Sequence, residues 1–257
     1  MSQYKEWAIQ IWNKRTGAFV NDSAAKAVVL NSAQTLVTSS DPVTLKADQQ
    51  GTALTQPVTL SSGNLVFYTA KTVTAVDVSV LMADGSAIYA KGINSSVHRL
   101  DIYPEQRFQV FTFPMLFLAG GTVVDTGFDI PIGMLITDVA VQVLAVDAGE
   151  TVDIGFINAV ESGDEDGLAK LVTVANLGFP TLYPVVTGGT NIDYLVETAG
   201  YGAYLAQAIA GADAVATVGG WAKRNYATDG TIKSLVYTPS GSDTFKGLGH
   251  LFYTKLA

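Results

Sequence analysis

The chain has 257 residues, of which 48% are hydrophobic and 15% are charged, and its formal net charge is −8 at pH 7. This length fits two domains of roughly 100–150 residues, and the scattered 15 basic residues argue against a nucleic-acid surface, which needs clustered Lys and Arg. The sequence contains no cysteine, which excludes disulfides, thiol nucleophiles and cysteine-ligated zinc within it.

The first thirty residues predict a strand, a turn and a short return. Hydrophobic residues alternate along Tyr4–Trp12, and Asn13–Gly17 supplies a turn before Ala18–Val20, giving an opening hairpin or a clamp strand. Ala24–Leu36 has no clear period and is compatible with an extended segment. A short helix over Ala24–Val29, capped by Ser23, is the weaker alternative because the adjacent β-branched residues disfavour it. No basic region followed by an apolar run precedes these elements, so we expect neither a signal peptide nor a membrane-spanning segment.

Residues 41–92 predict a compact antiparallel sandwich of four or five short strands. Within it, Val76, Val78 and Val80 alternate with polar residues, and Asp84-Gly85 is a typical hairpin turn. His98–Ile102 predicts one further strand.

Residues 103–121 are the expected boundary between two domains. Pro104 and Pro114 are expected to interrupt strand pairing because proline has no N–H to donate, and Gly120-Gly121 follows. The aromatic residues of Arg107–Phe113 are expected to plug the interface between the domains, with an oligomer contact as the alternative. The prediction is therefore an N-terminal domain over 1–112 and a C-terminal domain over 113–257.

The C-terminal domain is organised around Met134–Ile157, where small and β-branched residues recur with a period of two. Asp147–Glu150 is short and contains a glycine, so we expect it to join two strands as a hairpin. The segment Ala203–Ala210 is ambiguous between helix and strand, and its flanking glycines favour strand. Further strands are predicted at Ala169–Val174, Tyr194–Thr198, Gly202–Ile209, Ala214–Val218, Thr231–Tyr237 and Gly247–Tyr253. The fold class is therefore all-β, with two antiparallel β-sandwich domains of which the C-terminal one is jelly-roll-like.

A search for chemistry is mostly negative. The two histidines, His98 and His250, fall in different predicted domains, and no hydrolase, phosphate-binding, zinc or dinucleotide motif occurs. Paired carboxylates for glycoside hydrolysis are left open by the sequence because their separation is spatial, although no aromatic platform stands out beside the acidic residues. Core or interface packing is the expectation for the three tryptophans, Trp7, Trp12 and Trp221.

The acidic loop Asp164-Glu165-Asp166-Gly167 is the one candidate for calcium. An EF-hand loop places a Glu at its twelfth position, but counting from Asp164 that position is Ala175, so we expect a solvated turn without structural calcium. We therefore predict no catalytic, cofactor-binding or metal-binding residues, no cofactor, and a protein that is not an enzyme.

Two groups of segments resemble structural proteins of tailed bacteriophages. One group resembles small β-modules near the N-termini of such proteins and consists of Asp41-Pro42-Val43, Gln56–Leu60, Ser62–Tyr68, Val76–Val80 and Asp84-Gly85. The other group is similar to a β-sandwich domain of phage virion proteins and consists of Thr151–Phe156, Gly163–Leu168, Ile232–Thr238, Ser242–Thr244 and Gly247. The motifs are turn-and-strand patterns that carry no catalytic residues.

The resemblance implies a non-enzymatic virion protein, most of all a capsid decoration (cement) protein that binds and stabilises the assembled phage head. A tail, baseplate or fibre component and a carbohydrate-binding β-protein are the alternatives; the lack of a collagen-like or coiled-coil shaft disfavours a long fibre. The implied location is the particle surface, with host cytoplasm during assembly. The implied partners are the major capsid protein or other virion proteins, with no nucleic acid and no membrane.

We also expect self-association into a homotrimer. Low charge and a mean hydropathy of +0.29 favour covering part of the surface, and open sheet edges favour pairing. The number three comes from the resemblance alone. The strand Tyr4–Trp12 is the candidate for a segment that reaches a neighbour or the shell.

Overall fold

The computed structural model describes eleven stretches of the chain: residues 3–32, 41–116, 121–157, 164–180, 182, 200–201, 205–209, 220–223, 226–228, 233–241 and 245–256. Every regular element in these stretches is a β-strand, which confirms the all-β prediction. Within them, no helix is long and apolar enough to cross a membrane.

The described strands form five sheets. In chain order they are β1 (Tyr4–Asn13), β2 (Lys26–Asn31), β3 (Leu45–Lys46), β4 (Ala53–Leu54), β5 (Val58–Thr59), β6 (Asn64–Ala70), β7 (Val76–Leu81), β8 (Ala87–Ile93), β9 (Val97–Ile102), β10 (Phe108–Leu116), β11 (Val124–Ile130), β12 (Met134–Ala145), β13 (Thr151–Ile157), β14 (Ala169–Thr173), β15 (Gly200–Tyr201), β16 (Ala206–Ile209), β17 (Gly220–Lys223), β18 (Tyr226–Ala227), β19 (Lys233–Pro239) and β20 (Lys246–Lys255). Sheet A has the order β4-β3-β6-β1-β9 and sheet B the order β5-β2-β7-β8. Sheet C has the order β10-β20-β12-β18, sheet D the order β11-β19-β13-β14-β15, and β16 and β17 form a two-stranded sheet E.

Sheets A and B enclose the N-terminal core. Period-two alternation turns Trp7, Ile9 and Ile11 of β1 inward, where none is more than 1% exposed. Trp7 stacks on Phe67 of the neighbouring strand with ring centroids 6.0 Å apart, and its indole Nε1 donates to Thr69 Oγ1 at 2.9 Å. The expectation of core packing is confirmed for Trp7, whose single polar atom is satisfied where it is buried.

Strand β1 lies in the middle of sheet A, so it is not a free clamp that can reach a neighbour. It pairs antiparallel with β6 and parallel with β9, an exception to wholly antiparallel pairing. A parallel pair needs a long crossover, and strands β2 to β8 supply one between β1 and β9. The expected return of the chain at Ala18–Val20 is reduced to a single antiparallel bridge from Trp12 to Phe19.

Sheets C and D enclose the C-terminal core. Phe111, Phe113, Phe128 and Phe156 lie in it, each no more than 1% exposed. The rings of Phe111 on sheet C and Phe128 on sheet D meet edge to face at 4.7 Å. These aromatic contacts join the two sheets across the core.

The hairpin predicted for Met134–Ile157 is wrong, although both of its strands form. Strand β12 pairs with β20 and β18 in sheet C, whereas β13 pairs with β19 and β14 in sheet D. Asp147–Glu150 therefore carries the chain from one sheet to the facing one, and Gly149 there has a φ of +87°. The period-two pattern predicts a strand without identifying its partner, and a short turn can also span the roughly 10 Å between packed sheets.

The prediction that Pro114 interrupts strand pairing is wrong, because Pro114 lies within β10 opposite Leu248 of β20. Strand β10 is at the edge of sheet C, where a missing N–H on the free side removes no ladder bond. Strand β10 runs without a break across residues 112 and 113, where the boundary between the two domains is predicted. The division of the chain into domains at that boundary stays a prediction.

Sheet B is shared between the two cores. All six residues of β7 are buried; its Val76, Val78 and Val80 belong to the N-terminal core and its Leu81 to the C-terminal one. On the neighbouring strand β2, Val28 and Leu30 also face the C-terminal core. The outer face of sheet B thus covers the side of the C-terminal sandwich where β10 and β11 form the sheet edges, and we call this junction the seam.

The remaining predictions divide between confirmed strands and segments outside the described residues. The segment considered for a helix at Ala24–Val29 lies mostly in strand β2, and the ambiguous Ala203–Ala210 contains strand β16. Tyr194–Thr198 and Ala214–Val218 lie outside the described residues. The jelly-roll-like connectivity of the C-terminal sandwich stays a prediction.

Candidate interaction surface

The outer face of sheet C exposes large hydrophobic side chains. Along β10 the alternation that buries Phe111 and Phe113 turns Phe108 and Val110 outward, where they are 81% and 42% exposed. Val110 pairs with Phe252 of β20 in the sheet register, so their side chains share this face. We call the surface formed by Phe108, Val110, Phe252 and Phe179 the apolar face.

Phe179 reaches the apolar face from the segment after β14. Gly178 is fastened to Val143 of β12 by two backbone hydrogen bonds: Val143 N donates to Gly178 O at 2.7 Å, and Gly178 N donates to Val143 O at 3.0 Å. The Phe179 ring lies 5.9 Å from the His250 ring and is 62% exposed. Its position therefore follows from the backbone pairing of the residue before it.

His250 lies beneath Phe179 as a neutral imidazole. Its Nδ1 is 3.0 Å from Thr112 Oγ1, and among the described residues no hydrogen-bond partner lies at its buried Nε2. Burial, together with the nearby Lys91 ammonium, lowers the pKa of His250 from 6.5 to about 4. At neutral pH the histidine adds no charge to the apolar face.

The two histidines do not form a pair. His98 lies on β9 of sheet A, whereas His250 lies on β20 of sheet C. Within the part of the chain that the structure describes, no group of three or more His, Asp or Glu side chains is placed to hold a metal ion.

The acidic loop forms a tight turn packed on β13. Phe156 N donates to Asp164 O at 3.0 Å, and a Cβ added at Gly155 would lie 2.0 Å from that same oxygen, so only glycine admits this close approach. The Asp164 and Asp166 side chains are hydrogen-bonded to one another. Lys170 Nζ pairs with Asp166 Oδ2 at 2.9 Å.

The electrostatics of this turn are those of a carboxyl–carboxylate pair. Burial, followed by the hydrogen bond to Asp166, raises the pKa of Asp164 to about 6, whereas the hydrogen bond from Asp164 holds the pKa of Asp166 below its usual value. On the adjacent strand, burial raises the pKa of Asp153, whose Oδ1 accepts from Leu171 N at 2.5 Å. Below about pH 6, one shared proton and the Lys170 ammonium thus offset the negative charge of the cluster.

The other tryptophans differ in what the structure describes. Trp12 is half-buried, with the Arg99 guanidinium 4.6 Å above its ring and Phe19 against its edge at 5.7 Å. For Trp221 the structure describes the backbone of β17 alone. The sequence assigns none of these tryptophans to a site. For the aromatic residues of Arg107–Phe113 it offers an oligomer contact only as the alternative, and the outward positions of Phe108 and Val110 in the period-two alternation are the signal that favours this alternative.

Comparison with known proteins gives no family. No protein-family model matches the chain, and no curated protein matches it. Among solved structures, one titled "Structure of infectious bursal disease virus Gt strain" aligns with 12% identity and a TM-score of 0.14, over 98% of this chain and 65% of that chain. A similarity at this level carries no argument about fold or function.

Proposed function

We propose that the chain is a non-enzymatic virion structural protein, specifically a capsid decoration protein that binds and stabilises an assembled phage head. The single observation that carries the proposal is the apolar face, where Phe108 is 81% exposed on a strand whose other side is fully buried. Exposed hydrophobic patches of this kind are typical of interaction sites. The assignment to a virion comes from the sequence resemblance, and the jelly-roll-like connectivity belongs to the same proposal.

The proposed mechanism is the burial of apolar area across junctions between capsid subunits. Each 1,000 Å² of apolar contact contributes up to about 25 kcal/mol before ordering and association costs. The face is held in place by Phe111 and Phe113, whose rings pack in the core directly behind it. A face that is ordered before binding loses little conformational entropy on docking.

Self-association as a homotrimer is part of the proposal. The apolar face and the free edges of the sheets are surfaces that a neighbouring copy can cover, while the number three rests on the resemblance. Light scattering on the isolated protein at micromolar concentration is expected to give about three times the 27.0 kDa of one chain. A mass near that of a single chain would refute the trimer in solution.

Sedimentation with phage shells tests the function directly. Purified protein is mixed with shells that lack it, and the proposal expects it to appear in the pellet in a saturable amount. Failure to co-sediment would overturn the decoration function. Binding to purified tails and not to heads would assign a tail or baseplate role instead, and a glycan array separates both from carbohydrate binding.

A further inference from the structure

Strand β9 is an open edge of sheet A. It lies at the end of the strand order, and β1 is its one strand partner in the part of the chain that the structure describes. Its sequence from Val97 to Ile102 contains neither proline nor glycine, and its register with β1 runs without a bulge. Two of the devices by which proteins block an edge strand, a proline and a bulge, are therefore missing from β9.

The backbone groups of alternate β9 residues point away from the sheet. Ile102 O accepts from Lys14 N at 2.8 Å on the β1 side, so the even-numbered residues of β9 bond to β1. Successive residues of a strand direct their backbone N–H and C=O groups to opposite sides. The N–H and C=O groups of Arg99 and Asp101 are therefore directed to the open edge, where another strand can pair with them.

The side chains along this edge are apolar, basic, acidic and apolar at alternate positions. Val97 and Tyr103, at the two ends, are 69% and 44% exposed. Between them, Arg99 Nε pairs with Asp101 Oδ1 at 2.6 Å, and Asp101 Oδ2 also pairs with Lys14 Nζ at 2.8 Å. Charges of one sign would keep two such edges apart, but this edge carries both signs, in an order that is complementary to itself when the strand is reversed.

Charge selects one antiparallel register between two β9 strands. In that register Arg99 lies opposite Asp101 of a second copy, and Val97 lies opposite Tyr103 of that copy. A shift by two residues in either direction sets Arg99 against Arg99 or Asp101 against Asp101, and like charges directly opposite one another are destabilising. Leu100, which is buried on the inner side of the sheet, then lies opposite Leu100 of the second copy.

We propose that β9 forms a two-fold contact between two copies of this chain, in which the two β9 strands pair antiparallel in this register and join two sheets A into one. In a closed two-fold interface residue i contacts residue j while j contacts i, and this register meets that condition. The Arg99 guanidinium has N–H donors besides Nε, so it can bind Asp101 of its own chain and Asp101 of the second copy together.

The contact is short. Ser95 Oγ donates to Val97 O at 2.7 Å, and Gln106 N donates to Tyr103 O at 3.1 Å, so the backbone ladder is centred on Arg99 and Asp101. A single strand edge buries less than the roughly 1,200 Å² of a standard interface. We therefore expect this pairing to be weak and to form as the protein concentration rises above the micromolar range.

This two-fold contact goes beyond the proposed function. It lies on sheet A, whereas the apolar face lies on sheet C, and it needs neither a shell nor a three-fold axis. If copies also associate around a three-fold axis, the two-fold contact joins trimers in pairs.

Disulfide formation between two cysteine variants tests the register. The chain has no cysteine, so Val97→Cys and Tyr103→Cys each carry a single thiol, and the two full-length proteins are mixed in equal amounts in a glutathione buffer. Opposite positions lie within disulfide reach, whereas the two Val97 positions lie roughly 20 Å apart. The mixed disulfide should exceed either symmetric one by at least about tenfold, as measured by mass spectrometry.

The matched control replaces Val97→Cys by Ala70→Cys, at an exposed alanine of β6 in the same sheet, and should give no such preference. Statistical amounts of the three disulfides, an excess of a symmetric one, or no disulfide would overturn the proposal.

Reversing the charges tests what selects the register. Arg99→Glu sets two carboxylates opposite one another and should weaken self-association at least about threefold at low ionic strength. The double variant Arg99→Asp with Asp101→Arg restores opposite charges and should regain the association. Sedimentation velocity over a concentration series measures both, and melting curves establish that each variant is folded. Undiminished association of Arg99→Glu, or no recovery in a folded double variant, would overturn the cross-strand charge pairs.

The disulfide experiment separates this contact from the proposed function, because it contains no shells. If wild type does not bind shells, the decoration function fails, and a dominant mixed disulfide still establishes the two-fold contact. If the mixed disulfide does not dominate, the two-fold contact fails whether or not the protein binds shells.

Discussion

Tyr253 of the C-terminal sandwich donates its buried hydroxyl to the backbone carbonyl of Gly85 in the N-terminal sandwich, at 2.6 Å. Gly85 lies in the β7–β8 turn with a φ of +77°, a conformation that suits glycine. Lys255 Nζ, two residues after Tyr253, pairs with Asp84 Oδ2 of the same turn at 2.7 Å. The end of the last strand is therefore fixed to the tip of one hairpin.

Replacing Tyr253 by phenylalanine should lower the free energy of unfolding by about 1–2 kcal/mol, because the Gly85 carbonyl loses its hydroxyl donor inside the protein. Urea unfolding measures the loss. The matched control is Tyr68→Phe, which removes a hydroxyl that donates at 2.8 Å to Glu6 on the surface and should cost less than about 0.5 kcal/mol. Equal losses for the two variants would contradict a stabilising role for the bond across the seam.

Phe108→Ala should leave the fold intact and weaken association. The side chain is 81% exposed, so the free energy of unfolding should change by less than about 0.5 kcal/mol, while shell co-sedimentation and the mass in solution should both fall. Phe111→Ala, three residues along the same strand, removes a fully buried ring and should cost about 3–5 kcal/mol. Undiminished association of Phe108→Ala would remove this residue from the interface.

Asp164 in the acidic turn should lower the free energy of unfolding as the pH rises from about 4 to above 6. The folded-state pKa of Asp164 is raised from 3.8 to about 6, so the folded chain binds more protons than the unfolded chain in this window, and stability falls with pH. In Asp164→Asn the amide donates to Asp166 at every pH, and this component should vanish. Melting temperatures from pH 4 to 7 check it; parallel curves for variant and wild type would contradict the shared proton.

His250 should lower the free energy of unfolding as the pH falls, which is opposite in sign to the effect of Asp164, and the two pH ranges overlap. Its folded-state pKa is lowered from 6.5 to about 4, so the unfolded chain binds more protons between these values and stability is lost as pH falls through them. The loss amounts to at most about 3 kcal/mol. Urea unfolding of His250→Asn between pH 4 and 7 should lack this component, and in wild type the two groups partly offset one another. An unchanged pH profile would show that the histidine does not titrate in this way.

We expect no structural calcium at the acidic turn, because Asp166 is paired with Lys170 and a calcium site needs six to eight oxygen ligands. Melting curves recorded with and without a chelator should therefore overlay. A fall of more than a few degrees in chelator would assign a metal to Asp164 and Asp166.

The strands are predictable from sequence more readily than their partners. The period-two alternation over β12 and β13 identifies both strands to within a residue, because burial of one face is a local property of the chain. Their assignment to different sheets depends on β19 and β20, which arrive from the far end of the sequence. Long-range pairing of this kind leaves no signal in the two strands themselves.

The surface is partly predictable. The aromatic residues of Arg107–Phe113 stand out in the sequence, and the structure divides them between the two sides of β10: Phe108 is exposed, whereas Phe111 and Phe113 are buried. Phe179 has no sequence signal, because the backbone bridge from Gly178 to Val143 holds it in place.

The doubly buried strand β7 limits how this protein can change by recombination. A gene fragment that encodes the N-terminal sandwich alone would produce a sheet B whose Val28, Leu30 and Leu81 face water, a surface prone to aggregation. A fragment that encodes the C-terminal sandwich alone would leave β10 without Ser79, which donates to the carbonyl of Thr112. We therefore expect a recombinant to fold only when both sides of the junction come from the same parent protein.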